Sequence, residues 1–206
     1  MLTFYWARKT CARATHIALE DAGAVYEARR LDFARAEQRS PEYLAINPKG
    51  RVPALVTPQG VLTETPALLV YVAQTHPAAR LANFADPFAF AQLLAFASYL
   101  CATVHVAHAH DPRGVRWADE PSSIADMKLK SHANMRECFQ LIERDLFKGP
   151  WALGESYSVI DPYLFTIAGW LDGHGVDVAE FPGVADHFQR MGERASVRRV
   201  LAAEAG

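Results

Sequence analysis

Asn47-Pro48-Lys49-Gly50-Arg51-Val52-Pro53-Ala54-Leu55, followed by Glu64-Thr65-Pro66-Ala67, is the stretch that decides the fold. It reads as a glycine turn, a proline opening a short strand, a second strand, and an acid at a capped helix start. Pro53 has no N–H to donate, so it suits a strand start or a tight turn. A cis bond ahead of Pro53 would let the Val52 N–H and C=O both face outward and pair with an extended peptide. Such bonds are a small minority of X-Pro bonds in folded proteins, so the expectation rests on the whole motif. Gly60 turns the chain, and Val61-Leu62-Thr63 forms the second strand.

Thr65 is expected as the N-cap, with Pro66 at the first helical position. The unpaired N–H groups there favour a carboxylate. Glu64, immediately before, is placed to hold an ammonium group. A carboxylate and an ammonium on one carbon make an amino-acid head, such as the γ-glutamyl end of glutathione. Val52 and Pro53 would then hold the cysteinyl backbone, Glu64 and Thr65 the γ-glutamyl end, with Lys49 and Arg51 nearby. The basic loop over residues 35–39 is a candidate for the glycyl carboxylate.

Bulk properties frame this reading. The chain has 206 residues, half of them hydrophobic and 21% charged, so a proper core is available and disorder is not expected. A net charge of −2 gives no general attraction to nucleic acid or an anionic membrane. No uninterrupted run of 18 apolar residues suggests a membrane span. The chain opens on a strand pattern, Met1-Leu2-Thr3-Phe4-Tyr5, rather than a charged leader with an apolar core. Cys11, Cys101 and Cys138 are odd in number and widely spaced, which fits a reducing, cytoplasmic compartment.

The chain divides into two halves. Residues 1–77 alternate strand and helix: strands over 2–6 and 24–31, a helix over 10–22 ended by Gly23, a helical turn over 41–46, the two strands above, and a helix over 66–75. This order fits a small sheet with one right-handed parallel crossover and a terminal hairpin, an α/β thioredoxin-like domain. His76-Pro77 breaks the last helix, and a linker covers 78–86. Residues 87–206 read as an all-α helical domain, with helices over 87–110, 122–147 and 158–171 and two shorter ones after Pro182 and Ser196. Ser158 and Asp161 form a capping box that nucleates a buried helix.

Together these pieces resemble the cytosolic glutathione transferase family over essentially the whole chain. The carriers are Asn47 to Leu55, Glu64-Thr65, and Trp151 to Asp161 with its capping box. The resemblance implies the glutathione transferase fold and conjugation of the glutathione thiolate to electrophiles. It implies glutathione as co-substrate with no tightly bound cofactor, a homodimer, and a variable apolar site for a small hydrophobic electrophile. Tyr5, Thr10-Cys11 and His16-Ile17 resemble the bacterial beta-class pattern, in which a cysteine stands at the position of Cys11. The usual Pro-Gly before that cysteine is replaced by Ala7-Arg8-Lys9, and the serine after the acid by Thr65. The beta-class His-Lys pair of the helical domain is not evident at Leu100-Cys101-Ala102-Thr103.

A free thiol has a pKa near 8.5, so only a few per cent is thiolate at neutral pH. The first turn of the first helix supplies part of the needed stabilisation. Cys11, then Thr10, then Tyr5 are the candidate catalytic side chains, and Arg8, Lys9 and Arg13 add positive charge. The competing readings are a buried small hydrophobe for Cys11, an N-cap for Thr10 and a core ring for Tyr5.

His105-Val106-Ala107-His108-Ala109-His110 invites a metal reading, but no acid at ligand spacing joins His105 and His108 on their face, and no metal is expected. His105 and His108, with Arg113, Trp117 and the neighbouring Arg116, are candidates for the electrophile site or a dimer contact. Two other functions share the fold: a glutathione-dependent thiol–disulfide or peroxide reductase using Cys11, and a non-catalytic glutathione- or ligand-binding protein.

Overall fold

Strand β1 (Leu2–Trp6) is the centre on which the first unit is built. It pairs in parallel with β2 (Tyr26–Arg30), matching Phe4 to Ala28, and antiparallel with β3 (Ala54–Thr57), matching Phe4 to Leu55. The hairpin β3–β4 (Gly60–Thr63) completes the order β2-β1-β3-β4. Successive side chains of a strand point to opposite faces. Phe4 and Trp6 therefore meet His16 of helix α1 (Ala12–Asp21), while Tyr5 meets Tyr43 of α2 (Pro41–Ile46) on the other face. Burial among these rings lowers the His16 pKa and keeps the imidazole neutral.

The computed structural model describes all residues, Met1 to Gly206. They fall into two units: Met1–Asp86 joined by Gly192–Gly206, and Pro87–Met191. The sheet unit thus takes in α9 (Ala195–Ala205), which the sequence reading assigns to the helical half. The cause is an antiparallel clamp along α1. At one end Arg13 grips Glu204 through two bonds of 3.0 and 2.6 Å, and Arg8 donates to the Ala205 carbonyl. At the other end Arg199 pairs with Glu20 and Arg194 with Asp21. Helix α3 (Thr65–Thr75) packs against α1 and buries Leu68, Leu69 and Val72.

The second unit holds α4 (Pro87–Tyr99), α5 (His105–Arg113), α6 (Pro121–Leu141), α7 (Asp161–Ala168) and α8 (Pro182–Glu193). Wider, π-type turns at Leu100–Val104 and Ile142–Leu146 interrupt the two long helices expected as continuous. The segment Pro87–Arg116 is long and apolar enough to cross a membrane by length and composition alone. Leu93, Phe96, Ala97, Leu100 and Val104 on it are buried in this unit.

Helix α7 starts at Asp161, three residues after the expected cap. Its expected carboxylate bond to the Ser158 N–H is present at 2.7 Å. The same carboxylate accepts from the Ser158 hydroxyl, the Ala152 N–H and the His187 Nε2, all in a fully buried setting. Removing one member of such a cluster strands the others without partners. Asp161→Ala should lower the unfolding free energy by about 3–5 kcal/mol, read as a shift of the urea midpoint, with Asp161→Asn losing less.

Candidate glutathione site

The loop before β3 is held by its own carbonyl. The Arg51 C=O accepts from the Tyr43 hydroxyl at 2.6 Å and from the Asn47 side-chain amide at 2.7 Å. Ser40 caps α2 by accepting from the Tyr43 N–H, so the helix delivers Tyr43 to this point. Burial pushes the Tyr43 phenol up to about 12, which keeps it a neutral donor. Asn47 also accepts from the Lys49 N–H, closing the turn. Gly50 sits at φ +59, where a side chain would meet the Gln38 carbonyl and the Arg39 side chain at 2.9 Å. The basic loop expected near the ligand's glycyl end is therefore packed against Gly50.

Val52 and Pro53 follow, joined by the expected cis bond. The Val52 N–H finds no acceptor within the chain. Its carbonyl is reached by the Cys11 sulfur at 3.6 Å. Both polar groups of one backbone residue thus stand at the first turn of α1, one open and one touched by the thiol.

Fourteen residues after Gly50 the chain reaches the acid. Glu64, not Thr65, is the N-cap of α3, because Glu64 takes φ +72 and helical geometry begins one residue later than the cap. A non-glycine residue rarely occupies that region, and such outliers gather at ligand clamps. Pro66 has no N–H and the Leu68 N–H bonds the Glu64 carbonyl, which leaves the Thr65 and Ala67 N–H groups as the open donors of this turn. The Glu64 carboxylate pairs with the Lys49 ammonium, which also donates to Thr63. Arg51 contributes its backbone to the turn and leaves its side chain exposed.

At the sulfur end the three candidates part company. Cys11 lies at the N-cap of α1 beside Val52. The Thr10 hydroxyl donates to the Ala7 carbonyl at 2.7 Å and accepts from the Ala12 N–H, which is a capping role. Tyr5 lies on the α2 face of the sheet, 5.4 Å from the Tyr43 ring, and its hydroxyl takes a bond from Arg29. Of the three basic residues beside α1, Arg13 is neutralised by Glu204 and Arg8 is turned to Ala205.

In the helical unit, His105 and His108 flank Trp170 at ring distances of 4.9 and 4.2 Å, and Arg113 reaches His105. Trp117 stands apart, packed on His110. Burial, with His174 and His105 close by, depresses the His108 pKa to about 3.

Residues 1–74 match the family model described as the glutathione S-transferase N-terminal domain. A glutathione transferase homolog from Sulfitobacter, solved with bound glutathione, is 48% identical, with a TM-score of 0.95 over 98% of each chain. The chain belongs to the glutathione S-transferase family. A bacterial beta-class transferase from Sphingomonas chungbukensis is 29% identical, with a TM-score of 0.85 over 98% of each chain. The disulfide-bond oxidoreductase YfcG of Escherichia coli K12 is 24% identical over 98% of this chain and 94% of its own.

Against this family frame, Val52, Pro53, Lys49, Arg51 and Cys11 form one neighbourhood through the bonds above, and Glu64 joins it through Lys49. Tyr43, the Asn47 side chain and Trp170 were not singled out from sequence. Asn47 stood inside the deciding motif, and a tyrosine on a short helix before it was the available signal for Tyr43. Asp111, His132 and His174, from three different elements, bring one ligand atom each to within 4.8 Å of one another. Gly50→Ala should cost about 1–2 kcal/mol from the left-handed backbone alone, and more through the clash with the Gln38 carbonyl. A lowered thermal midpoint for Gly50→Ala, against an unchanged one for Gly173→Ala with open space around it, checks this.

Proposed function

We propose that this chain is a transferase in activity as well as in family. It binds glutathione on the sheet unit and passes the tripeptide's thiolate to a small hydrophobic electrophile. The observation that carries the reading is the open Val52 N–H, with its carbonyl beside the helix-capping Cys11. A cysteinyl residue in extended form pairs with such an edge, and a carbonyl with two lone pairs accepts both ligand and thiol. The γ-glutamyl carboxylate rests on the Thr65 and Ala67 N–H groups, and its ammonium replaces Lys49 on Glu64. That pairing places the ligand sulfur at the first turn of α1, where helix N–H groups favour thiolate. The sulfur forms its bond to the electrophile's carbon, a leaving group or an electron pair departs, and the thiol proton goes to solvent.

We assign the electrophile's contacts to the cluster of His105, His108, Arg113 and Trp170, whose neutral His108 and indole offer an apolar, weakly accepting wall. A detoxifying role follows from that chemistry. Exposed Phe88 and Leu94 on α4 support a homodimer, and three cysteines outside any disulfide support a reducing compartment such as the cytoplasm.

One observation favours a second reading. Cys11 is close enough to the cysteinyl edge to exchange with a disulfide, and a relative over nearly the full length is a disulfide-bond oxidoreductase. There the Cys11 thiolate attacks a substrate disulfide and releases one thiol; one glutathione displaces the second thiol and takes its place on the Cys11 sulfur, and a second glutathione frees the Cys11 thiolate and leaves as glutathione disulfide.

Glu64→Gln should weaken glutathione binding by about 10–100-fold, the worth of one charge-assisted bond, measured by calorimetry. Undiminished affinity would remove Glu64 from the site, and failure of the unaltered chain to bind a glutathione column would overturn both readings. Cys11→Ala then separates them. Retained conjugation of an activated aryl halide, with disulfide reduction lost or absent, is expected if Cys11 serves only exchange. A reductase with no conjugating activity in the unaltered chain overturns the transferase reading.

A further inference from the structure

We infer that Asp111, His132 and His174 of the helical unit form a binding site for one divalent transition-metal ion of the zinc type. Their ligand atoms lie within 4.8 Å of one another, drawn from the end of α5, the middle of α6 and the short turn Asp172–His174. Ligands at about 2.0–2.2 Å on a tetrahedral ion stand about 3.3 Å apart, so small side-chain rotations close the set. Two imidazoles and one carboxylate are the donor set of an open zinc site, which keeps a fourth position for water.

Three features separate this cluster from an ordinary polar contact. The His132 Nε2 is buried and has no hydrogen-bond partner, although an unsatisfied buried nitrogen is costly. The His174 ring is 2% exposed and lies edge-on to His132 at 5.6 Å. Each nitrogen of His174 already has an outer partner. Ser131 Oγ donates its proton to the Lys128 carbonyl, so it accepts from His174 Nδ1 at 3.2 Å, and His108 Nδ1 faces His174 Nε2 at 2.8 Å. Whichever nitrogen takes the ion, the other keeps a bond that fixes the ring, the arrangement that supports metal-ligating histidines.

A competing occupant is already in place. The Lys128 ammonium lies 3.2 Å from Asp111 and holds its carboxylate. A bound cation must displace it, and Lys128 is largely exposed and free to leave.

The test uses the full chain, stripped with a chelator and titrated with Zn²⁺ by calorimetry, with Co²⁺ as the spectroscopic probe. One equivalent of Zn²⁺ is expected, with intense visible Co²⁺ bands of a four- or five-coordinate site. His132→Gln and Asp111→Asn should each weaken binding by more than the about 10–100-fold typical of an outer partner's loss. His76→Gln, in the other unit, should leave it unchanged. Absence of stoichiometric binding, a weak octahedral Co²⁺ spectrum, or equal affinity in the ligand variants overturns the site. Lys128→Met keeps all three ligands and decides the matter if a ligand variant fails to fold. Tighter binding supports the site; unchanged or weaker binding overturns it.

Discussion

The pair of hydrogen bonds to the Arg51 carbonyl is the constraint on which the rest of the candidate peptide edge depends. A carbonyl oxygen has two lone pairs, and here both are filled, by Tyr43 and Asn47. That fixes the backbone one residue before Val52. The brace runs further back: Ser40 caps α2, α2 positions Tyr43, and the Tyr43 ring packs on Tyr5 of the central strand. An open N–H on a mobile loop would spend its time bonded to water. The same N–H on a loop tied to the sheet is a preorganised donor, and preorganisation is what lets a peptide edge bind without ordering it first.

The charges around α1 follow a related logic. Three basic residues beside Cys11 suggest, from sequence, a positive field for a thiolate. In the structure Arg13 and Arg8 are turned to α9, and the acids at the far end of α1 are answered by Arg194 and Arg199. Arg13 with Glu204 is nearly buried and bidentate, the geometry in which an ion pair specifies an arrangement more than it stabilises one. These charges therefore set the position of the C-terminal helix.

The fold was legible because its signals are local. Hydrophobic alternation in Leu2 to Trp6, Gly23 after a helix, Gly60 between strands and His76-Pro77 at a break each act within a few residues. The cis bond at Val52-Pro53 was legible for the same reason, since it sits in one ordered motif with Glu64. What escaped was set by distant partners. The helix-capping residue moved from Thr65 to Glu64 because Glu64 adopts a left-handed φ that no residue type signals. The fate of the Tyr5 hydroxyl was decided by strand alternation, which turns it toward α2 and Arg29. The membership of α9 in the sheet unit was decided by pairs almost two hundred residues apart.

The helical unit holds two buried polar clusters, and the contrast between them explains why only one invites a ligand. Around Asp161, four donors converge on two carboxylate oxygens, and every oxygen is answered within the chain. Such a cluster is closed: any added group would have to displace a bond already made in a setting that excludes water. Around His174 an added ion also displaces one bond to the ring and the Lys128 pair, but the directions are different. The hydrogen bonds run from His108 through His174 and Ser131 to a carbonyl that can only accept, so the chain of donors ends there. His132 Nε2 lies outside that chain, buried and unanswered, and the nearby carboxylate of Asp111 is held by a lysine whose own head is in solvent. An acidic group beside an unpaired imidazole, with an exchangeable cation in front of them, is a cluster whose last partner is not part of the protein.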